Sequence, residues 1–178
     1  MLVVQTPAGC DRERQYILKV ILEDFLGVDY VSERVDGDQT CITADGRKLV
    51  LSDVFFKAAS GDWLGLSTLP KQPLMLTERI GLESINVAGP LPVIFGDERG
   101  FLLSAPEPDT LILHLDVLGS CFFMLSRYEE AVLRERDHYD RFPASASCLF
   151  KGRSLQRPLV NEYVELLWGC MRSLWPAL

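Results

Sequence analysis

The sequence predicts an α/β fold, a mixed and mostly buried β-sheet flanked by α-helices, organised as a single compact domain over residues 1–178. Three observations carry that expectation. The chain opens in the order strand, helix, strand, hairpin; Asp45-Gly46 joins two β-prone runs where a positive φ is easily adopted; and 178 residues with 48% hydrophobic content are enough to bury a sizeable core.

Leu2 to Val4 is a short apolar run and reads as a buried first strand. A Pro and Gly turn over Thr6 to Cys10 follows, and Asp11 is placed to cap the helix "RERQYILKVILEDFLG". In that helix Tyr16, Val20, Ile21 and Phe25 share one face, Ile17, Leu18 and Leu22 widen it, and Gly27 supplies the stop. "VDYVSERV" alternates as a strand does, and "TCITADGRKLVLS" is the hairpin. "SDVFFKAASGDWLG" predicts a short helix capped by Ser52 and broken by Gly61, Gly65 and Pro70. Between Pro70 and Pro108 two buried strands, "LPVIFG" and "GFLLSA", are expected among turns. Leu111 to Leu115 is a further strand, and Asp116 caps a helix running to Arg134 with Cys121, Phe122, Leu125, Tyr128 and Val132 on one face. The last helix, Leu159 to Trp175, turns Leu159, Tyr163, Leu166, Leu167, Cys170 and Leu174 inward and stops at Pro176.

A formal charge of -7 argues against nucleic acid or an anionic membrane as the main partner, because such affinity comes from clustered Lys and Arg. "MLVVQTPAGC" lacks the basic region and the long apolar run of a secretion signal, and no window approaches the roughly 20 apolar residues of a membrane span. A cytoplasmic chain is expected. Cys10, Cys41, Cys121, Cys148 and Cys170 are scattered without a CxxC pair, so they read as reduced, structural thiols.

The two histidines carry little chemistry by spacing alone: His114 sits in an apolar strand as a packed imidazole, and His138 in a polar loop. No HExxH, GxSxG or SxxK motif occurs. "SRYEE" is more informative, since Tyr128 on the core face draws Arg127 or Glu129 toward burial, where Arg141, Asn161 and Glu162 are candidate partners. In "RDHYDRFPASAS", Pro143 ends any helix, Phe142 and Pro143 dock on apolar surface, Ser145 and Ser147 cap a following turn, and Arg141 anchors the loop by charge-assisted hydrogen bonds.

"GSCFFMLSRYEE", the charged "RD" loop, "RFPASAS", Lys151 and "RPLVNEYVELLW" together resemble the N-terminal domain of unknown function of bacterial polysaccharide deacetylase-like proteins. The opening strand with "TP" before a long helix is similar too, and the most specific part runs from Gly119 to Trp168. The resemblance implies a non-catalytic accessory module that packs on a downstream deacetylase domain and helps to recognise a polysaccharide or oligosaccharide. It also implies that the divalent metal, with its Asp and His ligands, belongs to that downstream domain and that this chain holds no cofactor. Its anchor or ligand residues would be Arg127, Tyr128, Glu129, Arg141, Lys151, Asn161 and Glu162. Trp63, Trp168 and Trp175 are candidate sugar-stacking rings, with the last two read first as part of a core-facing helix.

Two other readings stand beside it. A stand-alone anion- or nucleotide-binding domain would use the helix start after Asp116 with Arg127, Arg141 and Lys151, although a carboxylate at the cap repels an anion. A Ser or Cys hydrolase needs a nucleophile within about 4 Å of His114 or His138.

Overall fold

The computed structural model describes residues 1–77, 90–97 and 102–178. β1 (Leu2–Thr6), β2 (Tyr30–Arg34), β3 (Thr40–Ala44), β4 (Arg47–Leu51), β7 (Leu103–Glu107) and β8 (Thr110–Leu113) form a six-stranded sheet in the order β2-β1-β3-β4-β8-β7. β1 pairs parallel with β2 and β4 parallel with β8, while the β1–β3, β3–β4 and β7–β8 pairs are antiparallel. The sheet is mixed, as the sequence predicts. β5 (Met75–Thr77) and β6 (Leu91–Val93) make a separate antiparallel pair. Gly100 and Phe101, the front of the expected strand "GFLLSA", lie outside the described residues.

Helices cover this sheet. α1 (Asp11–Leu18) continues as a π-helix over Lys19–Phe25, α2 (Phe55–Ala59) is short, and α3 (Val117–Leu125) and α4 (Tyr128–Val132) follow β8. After α5 (Cys148–Lys151), α6 (Leu159–Leu174) packs across α3 and the sheet. The six residues expected to face inward from α6 are all buried. Its far end is tied to the β3–β4 hairpin: Arg47 donates to the Leu174 carbonyl, and the Trp175 indole N–H donates to Ala44 O at 3.0 Å. Among the described residues no helix is long and apolar enough to cross a membrane.

Four local expectations need correction. Asp11 is the first helical residue rather than the cap; Cys10 takes that place with φ 53° and no side-chain cap, and Asp11 instead meets Arg34 at 3.2 Å. The π-helical stretch, closed by Leu26 N–H to Ile21 O, widens each turn and shifts the buried set to Ile17, Leu18, Ile21 and Leu22. Tyr16 and Phe25 consequently emerge, at 48% and 50% exposure. The helix expected from Asp116 to Arg134 breaks at Arg127, whose φ of 55° is left-handed, so Leu125 leaves the core while Tyr128 stays in it. Ser52 does not cap α2.

That cap comes from Asp116, 61 residues along the chain from Phe55. Its Oδ2 accepts the N–H groups of Val54 and Phe55, each at 2.8 Å, while Oδ1 accepts Gly119 N–H at 2.8 Å in its own helix, as the sequence predicts for α3. Gly119 is required at this junction, because a Cβ there would lie 2.4 Å from Asp116 Oδ2 and 2.6 Å from Phe55 Cβ. One carboxylate thus satisfies donors at two helix starts that would otherwise be left buried and unpaired. Asp116→Ala is expected to lower stability by about 2 to 4 kcal/mol, since it strands several buried N–H groups at once. A urea midpoint within error of the wild type would refute this double cap.

Candidate functional site

Tyr128 is the centre of the best-organised region. Its ring meets Phe55 edge-on at 4.9 Å and Trp63 edge-on at 5.1 Å between centroids. Its hydroxyl accepts Leu64 N–H at 2.6 Å and Thr68 Oγ1 lies 3.2 Å away. The left-handed turn at Arg127 is what swings this ring under the 61–68 loop. Trp63 sits on top, 44% exposed, with its other contact at Phe122. A cleft of about 290 Å³ opens between the start of α2, the 67–75 segment and Val93 to Gly96, with Thr68, the partner of the Tyr128 hydroxyl, in its wall.

The remaining predicted residues do not gather around Tyr128. Arg127 is exposed and pairs with Glu130 one turn on. Glu129 crosses the charged loop and accepts Cys148 N–H at 2.8 Å, capping α5 from outside, while Ser147 caps it locally through Leu149 N–H at 3.2 Å. Glu162 faces Arg157, with Nε to Oε1 at 3.2 Å and Nη2 2.9 Å from Oε2 but out of hydrogen-bond alignment; Arg157 also donates to Pro90 O. Asn161 and Lys151 are exposed, Lys151 on the rim of a shallow groove with Phe150 and Leu155.

Arg141 makes charge-assisted hydrogen bonds, as expected, but within its own loop and not to Glu129. Its side chain is 68% exposed and pairs with Asp137, Nη2 to Oδ2 at 3.0 Å, while its guanidinium lies over Tyr139. It therefore fastens the loop to itself, not to a buried group. The residue that organises the loop is Asp137, which accepts Tyr139 N–H at 2.8 Å and Arg141 N–H at 3.0 Å. Bonding to Arg141 N–H, followed by the other donors, holds the Asp137 carboxyl below its ordinary range. The Asp-x-x-x-Arg spacing was the signal for it.

Asp116 and Asp53 form a buried acidic pair beneath this region. Asp53 Oδ2 meets Arg14 Nη2 at 2.6 Å, and Arg14 also donates to Gly9 O at 2.8 Å and lies over the Phe56 ring. Asp53 Oδ1 has no hydrogen-bond partner among the described residues. Burial, then the nearby Asp53 charge, raises the Asp116 carboxyl to about 6 against the opposing backbone donors. Burial also raises Asp53, although Arg14 opposes it.

The helix start considered for an anion is thus occupied by the chain's own carboxylate. Among the described residues no group of three His, Cys, Asp or Glu side chains is placed to hold a metal. All five cysteines are free thiols, and burial raises Cys148 and Cys170 to about 12 and Cys121 further. Burial of this kind makes those three thiols inert. His138 is exposed beside Tyr139. His114 is different, because its Nε2 lies 2.8 Å from Ser104 Oγ, inside the reach that hydrolase chemistry requires.

Fold and site together define an α/β domain with an aromatic surface loop braced from its core. The chain belongs to a family of unknown function, DUF7033, whose model matches residues 2–176. No curated protein and no solved structure matches it.

Two outcomes are expected of these contacts. Arg141→Ala should leave stability within about 0.5 kcal/mol, as for an exposed pair, whereas Tyr128→Phe should cost about 1 kcal/mol by leaving Leu64 N–H unpaired; the reverse ranking of denaturation midpoints contradicts the assignment. For Asp116, the folded carboxyl holds its proton to about pH 6 whereas an unfolded aspartate releases it near 3.8. The folded state therefore binds that proton more tightly, and the stability it supplies is present at the acid end and lost as pH rises through about 6. Wild type should gain on Asp116→Asn as pH falls from 6.5 to about 4; a constant difference in midpoint across that range excludes the raised carboxyl.

Proposed function

We propose that the chain is an accessory module of a polysaccharide deacetylase-like protein, packing on the metal-dependent catalytic domain and helping it to recognise its glycan. Deacetylation itself belongs to that domain. The reading is supported by the resemblance over Gly119 to Trp168, a stretch that includes Tyr128.

The observation that carries the glycan role is Trp63. A sugar ring presents C–H groups to a flat aromatic face, and binding costs least when that face is already ordered. Trp63 is half-exposed and held edge-on by Tyr128, whose hydroxyl also fixes the next backbone N–H at Leu64. Trp168 is only partly accessible and Trp175 is buried, so neither offers a comparable face. A cleft of about 290 Å³ shares the 61–68 loop with this ring through Ser67 and Thr68 in its wall.

Titration with N-acetylated hexosamine oligosaccharides, followed by tryptophan emission, tests the role. A saturable change is expected in the wild type and is lost in Trp63→Ala, while Trp168 and Trp175 supply a constant background. A flat wild-type titration, or an unaltered response in the variant, contradicts it.

A further inference from the structure

A second constellation lies at the other edge of the chemistry. In the antiparallel β7–β8 pair Ser104 stands opposite Ile112, so His114, two residues on, is its diagonal neighbour on the same face of the sheet. Ser104 Oγ is 2.8 Å from His114 Nε2, and His114 Nδ1 is 3.5 Å from Asp97 Oδ2. The imidazole is buried at 4% exposure, whereas Ser104 is partly accessible on β7, the edge strand.

The backbone is built to bring Asp97 there. Gly96 bridges Leu115, with Asp97 N–H donating to His114 O at 2.8 Å and Asp116 N–H donating to Phe95 O at 3.0 Å. A Cβ on Gly96 would lie 3.0 Å from His114 O and 2.9 Å from Val93 Cγ1, so glycine permits the close approach. Asp116, two residues after His114, locks the same segment through its double cap.

We infer that Ser104 and His114, oriented by Asp97, form a hydrolytic site for carboxylic esters. Hydroxyl, imidazole and carboxylate stand in the order required for an activated nucleophile, with each ring nitrogen facing its own partner. His114 Nε2 takes the Ser104 proton as Oγ bonds to the acyl carbon. Nε2 returns that proton to the leaving alkoxide as the C–O bond breaks, giving an acyl-serine and an alcohol. Water then attacks the acyl carbon, Nε2 takes its proton, and the acid leaves with Ser104 Oγ reprotonated. Asp97 is a positioning residue: it holds the ring and stabilises the imidazolium, a contact that tightens when the ring becomes charged. Esters are the class that fits, because an alkoxide is a better leaving group than an amide nitrogen and so demands least of these three groups. The inference does not depend on the glycan reading.

The test is labelling of the whole chain with an alkyl fluorophosphonate, with the modified residue located by peptide mass. Stoichiometric labelling of Ser104 is expected, together with turnover of p-nitrophenyl acetate. Ser104→Ala should lose the label, and His114→Gln should slow labelling on the order of 100-fold or more while still folded by circular dichroism. Asp97→Asn should move the midpoint of the labelling pH profile to lower pH, since a carboxylate beside an imidazole favours its protonated form. No label on wild-type Ser104, a result that needs no variant, would overturn the site and leave the Ser104–His114 contact as packing alone.

Discussion

The structure depends on one buried carboxylate. Asp116 accepts N–H groups from Val54, Phe55 and Gly119, so the starts of α2 and α3 are fixed to each other by a single side chain. Burying a charge is costly, and hydrogen bonds are what offset it. Here the offset is incomplete: burial, with the like charge of Asp53 added to it, leaves the carboxyl near 6. Arg14, reaching Asp53, Gly9 O and the Phe56 ring, holds the second acid and ties the turn after β1 to the same junction.

From that junction order passes outward by contact. Fixing Phe55 N–H places the Phe55 ring, Tyr128 packs edge-on to it, and the Tyr128 hydroxyl positions Leu64 and, through it, Trp63. The same device recurs at smaller scale, where Glu129 caps α5 across the charged loop. "SRYEE" is thus a bracing motif whose neighbours end at a surface aromatic ring. Asp116 also follows His114 closely in the chain, so the junction bears on the Ser104 site as well.

What was legible in the sequence follows the range of each interaction. The hairpin at Asp45-Gly46, the inward stripe of α6 and the cap at Asp116 are set within a few residues, and local pattern is sufficient for them. The π-helical stretch was hidden because its residues are ordinary helix formers and only the widened bonding changes which side is buried. The break at Arg127 was hidden because its left-handed φ has no Gly or Asn to announce it. Asp116 was readable as a cap for its own helix, yet not for α2, whose donors lie in a distant segment. Arg141 drew attention by charge and motif, although Asp137 does the organising. Ser104 and Asp97 carry no spacing signal toward His114; strand register and the Gly96 bridge bring them together.

We propose that the rigid scaffold and its braced aromatic loop serve a separate deacetylase centre. The measurement that tests this most directly is mass spectrometry of the native polypeptide and its complexes, isolated from source cells through an antibody to this chain. The account predicts a metal-binding deacetylase domain, either continuous with this sequence or held in a stoichiometric complex with it. Recovery of this chain with no deacetylase domain in the polypeptide or the complex would contradict the account.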